Sequence, residues 1–187
     1  MVFSNVYYNR ILKYDFINAF EYQNLAQLPS LNKIVLNFGY QKSNLKYLIS
    51  GLLALEFISS KKGNLTKSKG LNLFLKIKKG NPVGCKIILK KNYMHFFYFK
   101  LITSILPKIK FSQLPQFPNN AKTVKSLSFQ LKNSLIFTEL ENQFQFFKGI
   151  PNLDITLCTN SRSRKELFFL LKSIKFIIAN VTQFGRV

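Results

Sequence analysis

Acidic side chains are what this chain has least of relative to its charge: seven Asp and Glu stand against 28 Lys and Arg, a formal +21 over 187 residues. Such an excess repels itself unless something acidic neutralises it, so RNA, DNA or an anionic membrane is the surface it is suited to meet. Histidine occurs once, as His95 among aromatics, and reads as a packing residue, with no second imidazole to build a metal cluster or a base–nucleophile pair. Cysteine occurs twice, as Cys85 and Cys158 inside apolar runs and outside any C-x-x-C pair, so both read as buried reduced thiols. Gly80 and Gly84 flank Pro82, but no G-x-G-x-x-G or P-loop lysine follows to cradle a phosphate. Glu139 and Glu141 are the only closely spaced acids; they sit among aromatics with no acid–base partner and read as surface charge. Catalysis, a metal site and a cofactor are all therefore not expected.

Long apolar runs are missing too. The longest, Leu48 to Phe57, is interrupted by Glu56, whereas a membrane span needs about twenty residues. Met1 to Asn9 is polar and aromatic, without the apolar core or small-residue cleavage site of a secretion signal, and no Arg- and Ser-rich transit helix is visible. A soluble chain is the expectation.

What is present is enough apolar material to fold. The hydrophobic fraction is 47%, with twenty Phe, which excludes a merely disordered basic tail. Lys outnumbers Arg 24 to 4 beside abundant Ile and Asn, as an AT-rich genome would write it. The Lys:Arg ratio thus says little about the ligand; the acid deficit says more, because the same genome would supply Glu codons freely.

Periodicity predicts the elements. Tyr8, Ile11, Leu12, Asp15, Phe16, Ala19 and Phe20 fall on one helix face. Leu31 to Phe38 alternates as a strand closed by Gly39, with Ile34, Leu36 and Phe38 on one side and Lys33, Val35 and Asn37 on the other. Leu45, Leu48, Ile49, Leu52 and Leu53 form a helical stripe ending near Ser59. Ser60 to Lys69 reads as a cationic loop, Leu71 to Lys79 alternates weakly, and Gly80-Asn81-Pro82 is a turn before a strand from Cys85 to Leu89. A helix through Met94, Phe97, Tyr98, Leu101, Ile102 and Ile105 stops at Leu106 before Pro107. Residues 111–125 read as a second basic, flexible loop. Strands are expected over Ser126 to Leu131, Leu135 to Leu140 and Leu153 to Cys158, and Ser163 with Glu166 makes a capping box for a last helix through Leu167, Leu170, Leu171 and Ile174. The fold class that follows is α+β, one domain over residues 1–187, with helices on one face of a mostly antiparallel sheet.

Lysines and asparagines recur on the polar faces of these strands, at Asn32, Lys33 and Asn37 and again at Lys86, Lys90 and Lys91. The loop between them adds Lys61, Lys62, Thr66, Lys67 and Lys69. Such a face suits contacts to RNA phosphates and 2′-hydroxyls. The rival reading is a basic peripheral membrane protein of an organelle, with Leu167 to Ile178 lying in the interface.

Several motifs, in order, carry a likeness. Thr66-Lys67 followed by Phe74-Leu75-Lys76-Ile77-Lys78-Lys79-Gly80-Asn81-Pro82-Val83-Gly84-Cys85-Lys86-Ile87-Ile88-Leu89 resembles T-K-x-x-x-x-x-x-F-K-I-R-x-G-x-P-I-G-x-K-V-T-L-R. Tyr7-Tyr8 and Lys33-Ile34-Val35-Leu36-Asn37-Phe38-Gly39 resemble an opening helix and a K-I-x-L-N-M-G strand. Leu106-Pro107-Lys108-Ile109-Lys110, Ile136-Phe137-Thr138-Glu139-Leu140 and Leu153-Asp154-Ile155-Thr156 complete the series. Over about residues 7–178 the chain thus resembles the universal ribosomal protein five of the large subunit, a family that binds 5S rRNA in the central protuberance.

The resemblance implies a structural, non-catalytic protein binding 5S-type rRNA and large-subunit rRNA beside neighbouring central-protuberance proteins. It implies an rRNA contact at Asn37, and two more at a family Gln and a family Thr that are Lys61 and Ile88 here. It also implies that the hairpin Asn72 to Gly80, with Lys76, Lys78 and Lys79, reaches P-site tRNA. The family's glycine-rich F-D-G-R-G-N-Y, near a bridge to the small-subunit head, is replaced by Phe117-Pro118-Asn119-Asn120-Ala121-Lys122, which weakens that expectation. Composition and drift together point to an organelle-encoded member, the mitochondrion ahead of the plastid.

Overall fold

The computed structural model describes residues 6–40, 45–110, 114–115 and 125–177. A π-helical segment Tyr8–Leu12 leads into α1 (Lys13–Ala19), followed by β1 (Leu31–Gly39), α2 (Leu45–Ser59), β2 (Asn64–Lys67) and β3 (Pro82–Leu89). Next come α3 (Lys91–Lys100), continued by a π-helical segment Leu101–Ile105 and a 3-10 turn Leu106–Lys108, and then β4 (Ser126–Leu131). A 3-10 turn Ser134–Ile136, two short helices α4 (Thr138–Glu141) and α5 (Phe144–Phe147), β5 (Leu153–Thr159) and α6 (Arg164–Ser173) complete the chain.

The strands form one five-stranded sheet in the order β2-β3-β1-β5-β4. β3 pairs antiparallel with β1 and with β2. Asn160, just past β5, donates its N–H to the carbonyl of Ser30, just before β1, and Thr159 N donates to Lys125 O just before β4. Ends thus meet starts, and the antiparallel α+β class expected from the sequence is found.

Two compact units divide the chain, one of residues 34–89 and 129–156 and the other of the remainder. In the first, the pleat sets the core. Ile34 faces Leu89, Leu36 faces Ile87 and Phe38 faces Cys85, and all six are buried together with Leu153 and Ile155 of β5. Burying each such Leu, Ile or Phe stabilises the fold by roughly 1.5–3 kcal/mol. α2 covers β3 and packs in turn against α4 and α5. The contact is close: the Cys85 thiol donates to the Leu48 carbonyl across 3.2 Å, and a Cβ on Gly51 would overlap the Tyr40 hydroxyl. Burial pushes the Cys85 thiol pKa up to about 11.

In the second unit Leu12, Phe16, Leu28 and Leu170 form a buried cluster, with the Phe169 ring edge-on to Phe16 at 5.0 Å. The helix α6 begins as its sequence dictates. Ser163 Oγ accepts from Glu166 N at 3.2 Å, and Glu166 Oε2 accepts from Arg162 N at 2.8 Å, so two N-terminal donors are satisfied by the expected capping pair. Leu167, Leu170 and Leu171 of α6 are all buried, so the stripe on which the membrane reading rested is used up inside the protein. Among the described residues no helix is long and apolar enough to cross a membrane.

Four sequence expectations need correction. Leu135 to Leu140 is not a strand but a 3-10 turn running into α4: the Asn133 side chain accepts from Leu135 N at 3.0 Å, and Phe137 O accepts from both Leu140 N and Glu141 N. The cationic loop Ser60 to Lys69 contains an edge strand, β2, because Leu65 and Thr66 find partners on β3 that local sequence does not announce. The buried face of α2 is Leu48, Gly51, Ala54, Leu55 and Ile58, while Leu45, Ile49 and Leu53 of the expected stripe are exposed. Cys85 is buried as expected, but Cys158 is only half-buried, on the outward side of β5, and both thiols are free. The expected loop at 111–125 lies outside the described residues except at Leu114, Pro115 and Lys125.

Candidate nucleic-acid interface

The alternation that buries one face of the sheet obliges the other to be polar. Directly opposed residues of paired strands share a face, so the register sets the outward rows. One row runs Asn64–Lys86–Asn37 across β2, β3 and β1. The next runs Thr66–Gly84–Gly39, where Gly84 carries no side chain and a Cβ there would lie 2.7 Å from Thr66 Oγ1 and from Phe38 O. Gly84 is buried there, its place taken up by the Thr66 hydroxyl and the Phe38 carbonyl, whereas Gly39 at the end of the row is exposed with open space beside it. The third row pairs Val35 with Ile88, whose side chain is exposed.

Lys61, two residues past the end of α2, reaches β3 at the margin of this face. Its Nζ donates to the carbonyl of Ile88 at 2.7 Å. The turn that permits this is fixed by Glu56, whose Oε1 accepts from Gly63 N at 2.9 Å, and by Ser60 in a left-handed conformation at φ 53°. Lys62, Lys67 and Lys69 continue along β2 and beyond it, all exposed.

The hairpin between β2 and β3 is built from its own hydrogen bonds. Asn72 and Ile77 exchange both main-chain bonds, at 2.9 and 3.0 Å, Lys76 N donates to Leu73 O at 3.2 Å, and Leu75 N donates to Asn72 Oδ1 at 3.2 Å. Lys76 takes φ 53° and Gly80 φ 89°, so the chain turns through the left-handed region at both places. Lys76, Lys78 and Lys79 are exposed around it. From Phe57 to Thr138 the sequence holds sixteen lysines and no acid at all. Within that stretch no carboxylate competes for the cations.

Of the sequence-predicted residues, Asn37, Thr66 and Lys86 are brought onto one face, and Lys61 onto its margin. Lys62, Lys67, Lys69, Lys76, Lys78 and Lys79 follow along β2 and the hairpin of the same unit. Asn32, Lys33, Lys90 and Lys91 belong to the other unit. Lys33 and Lys90 directly precede and follow, along the chain, the two members of the Ile34–Leu89 pair, and both are exposed. Two features were missed. Asn64 completes the central row, which the sequence conceals by reading as loop. Gln130 Nε2 donates to Asp154 Oδ1 at 2.8 Å and Asn152 Nδ2 to Gln130 Oε1 at 3.3 Å, so this outward acid of β5 is already partnered within its own unit. Among the described residues no group of three His, Cys, Asp or Glu side chains is placed to hold a metal ion. Burial lowers the proton affinity of His95, which lines a small cleft with Tyr8, Ser30 and Tyr98. Glu139 and Glu141 lie on α4, not on a strand.

Known proteins resemble this chain along nearly its whole length. Residues 82–178 match the family model for the C-terminus of the ribosomal L5 family. The chain is 33% identical over 172 residues to "Large ribosomal subunit protein uL5m" of Reclinomonas americana, covering 90% of this chain and 93% of that protein. "Large ribosomal subunit protein uL5" of Blochmanniella floridana is 31% identical over 182 residues, 93% of this chain and 91% of its own length. The protein of the same name in Wigglesworthia glossinidia brevipalpis is 35% identical over 162 residues, 85% and 89% respectively. A lysine-rich sheet, an alignment along nearly the whole chain and a family match over its C-terminal half lead to one conclusion: the chain belongs to the uL5 family and is a structural, non-catalytic protein of the large ribosomal subunit.

Proposed function

We propose that the outward face of the sheet binds 5S-type rRNA and large-subunit rRNA in the central protuberance, and that the hairpin carrying Lys76, Lys78 and Lys79 contacts P-site tRNA. One observation carries this reading: the strand register aligns Asn37, Lys86 and Asn64 in a single row, beside a stretch of sixteen lysines without an acid. Amides donate to and accept from ribose and base edges, and lysines neutralise phosphates, so the row positions an RNA backbone more than it reads a sequence. Exposed lysines on the hairpin suit a transient contact of the same kind. The whole chain acts as one RNA-binding ribosomal unit, with neighbouring central-protuberance proteins around it.

We assign the protein to a mitochondrial ribosome in preference to a plastid one. The support is the AT-type composition and a relative named uL5m, alongside relatives from bacteria. A bridge to the small-subunit head would use residues 111–125, most of which lie outside the described residues, and it stays the weaker expectation.

The test is binding of the full chain to 5S-type rRNA between 50 and 200 mM salt. Neutralising roughly six to ten phosphates costs about three to five decades of affinity over that range. A nearly flat salt response, or equal affinity for unrelated RNA at the higher salt, overturns the rRNA assignment. A K76A/K78A/K79A variant is expected to assemble into subunits but to translate poorly; normal translation would remove the tRNA contact alone.

A further inference from the structure

The tip of the hairpin between β2 and β3 is apolar as well as basic. Phe74 is 99% exposed, Leu73 77%, Leu71 65% and Leu75 41%, while Ile77 beneath them is buried at 6%. Three large apolar side chains in a row at a loop tip gain nothing from the fold that presents them. Nor is the tip a loose end. The paired bonds of Asn72 and Ile77, the Lys76 N to Leu73 O bond and the Asn72 side-chain acceptor for Leu75 N hold its backbone. Lys76 sits in the left-handed region to close it, a conformation that residues other than glycine adopt only at a cost. A ring held out on such a frame loses little freedom when something covers it.

The surroundings decide what covers it. Lys69, Lys76, Lys78 and Lys79 lie on the same hairpin, and the nearest acids in sequence are Glu56 and Glu139. An apolar protein groove would have to bring its own carboxylates for four lysines. A folded RNA that exposes an unpaired base offers both needs at once: a flat π-face for the ring and phosphates for the cations.

We propose that Phe74 is a stacking residue for an unpaired, unstacked RNA base, with Leu73 and Leu75 closing over the base and ribose and Lys76, Lys78 and Lys79 holding the flanking phosphates. This rests on the RNA-binding reading above and adds to it a residue and a kind of target: a single exposed nucleotide, in preference to a duplex.

The chain contains no tryptophan, so F74W places a unique fluorophore at the tip. The full chain carrying F74W would be titrated with three probes: an RNA hairpin with an unpaired loop, a blunt RNA duplex of equal charge, and vesicles of anionic phospholipid. Expected are quenching by the loop RNA, little quenching by the duplex, and an affinity for the loop RNA like that of the parent chain. F74A is expected to bind the loop RNA about ten-fold more weakly, the scale of one lost base–aromatic stack. It should bind the duplex within about two-fold of the parent and keep the same salt slope. Loop RNA that binds without quenching F74W, with F74A unimpaired, overturns the stacking role and leaves the RNA reading intact. Absence of binding to either RNA overturns both. A blue shift confined to the vesicles makes the tip a lipid contact and overturns the stacking role.

Discussion

Lys61 Nζ bonds the main-chain carbonyl of Ile88 at 2.7 Å, which joins the end of α2 to the last outward position of β3. These are the two positions where the family resemblance implies a Gln and a Thr in contact with rRNA. They are neighbours here, so the two departures are one local change. An ammonium carries three donors, and the Ile88 carbonyl takes one, leaving two for a phosphate.

A K61M variant should therefore lose RNA affinity about equally for all sequences and lower the salt slope by about one. Its stability should fall by less than about 1 kcal/mol, because the bond is exposed and water can take the place of the ammonium at the Ile88 carbonyl. I88T, which puts a hydroxyl on an exposed β-branched position, should raise affinity a few-fold at constant salt slope. Filter binding at several salt concentrations reads both, and an unchanged slope in K61M would detach Lys61 from the RNA.

Gly84 should be the least replaceable glycine of the sheet. A Cβ there meets Phe38 O and Thr66 Oγ1 at 2.7 Å each, and the main-chain oxygen has nowhere to go. G84A is expected to destabilise the protein by about 1–3 kcal/mol, in the range of an overpacked core site. T66A in the same chain should recover part of that loss by removing one of the two clashes. Urea unfolding of the single and double variants measures the coupling; strict additivity would mean that β2 does not pack on Gly84 as described.

The strands were legible because burial on one face imposes a two-residue period that sequence retains: Ile34, Leu36 and Phe38, then Cys85, Ile87 and Leu89, then Leu153, Ile155 and Leu157. The face of α2 was not, because its contact side includes Gly51 and Ala54, whose value lies in letting Tyr40 and β3 come close and not in apolar area. Residues 135–140 open on a short apolar run, Leu135-Ile136-Phe137, that reads as a strand, yet Asn133 turns the chain through its side-chain oxygen before any pairing can start. At the interface, single residues such as Asn37 and Lys86 were visible. Their alignment with Asn64 depends on pairing between segments twenty or more residues apart, which no local pattern encodes. The exposed tip was hidden for a related reason. Leu71, Leu73 and Leu75 read as one side of a strand until the left-handed Lys76 folds the segment back on itself.

Cys85 offers a measure of how tightly α2 is held to β3. Burial raises its thiol pKa to about 11, and the thiol donates to Leu48 O. The folded state thus keeps the proton to higher pH than the unfolded chain, whose thiol ionises near about 8.5. Between those values the native state binds more protons than the unfolded one, so stability is undiminished below about pH 8.5 and falls as pH rises toward 11. In a C158S background, which leaves Cys85 as the only thiol, disulfide-exchange labelling at about pH 8 should proceed only through opening of the helix from the sheet. Labelling should accelerate in step with urea-induced loss of structure. Rapid, urea-independent labelling under the same conditions would mean that the thiol reaches solvent in the native state, and that α2 does not cover β3 as the core requires.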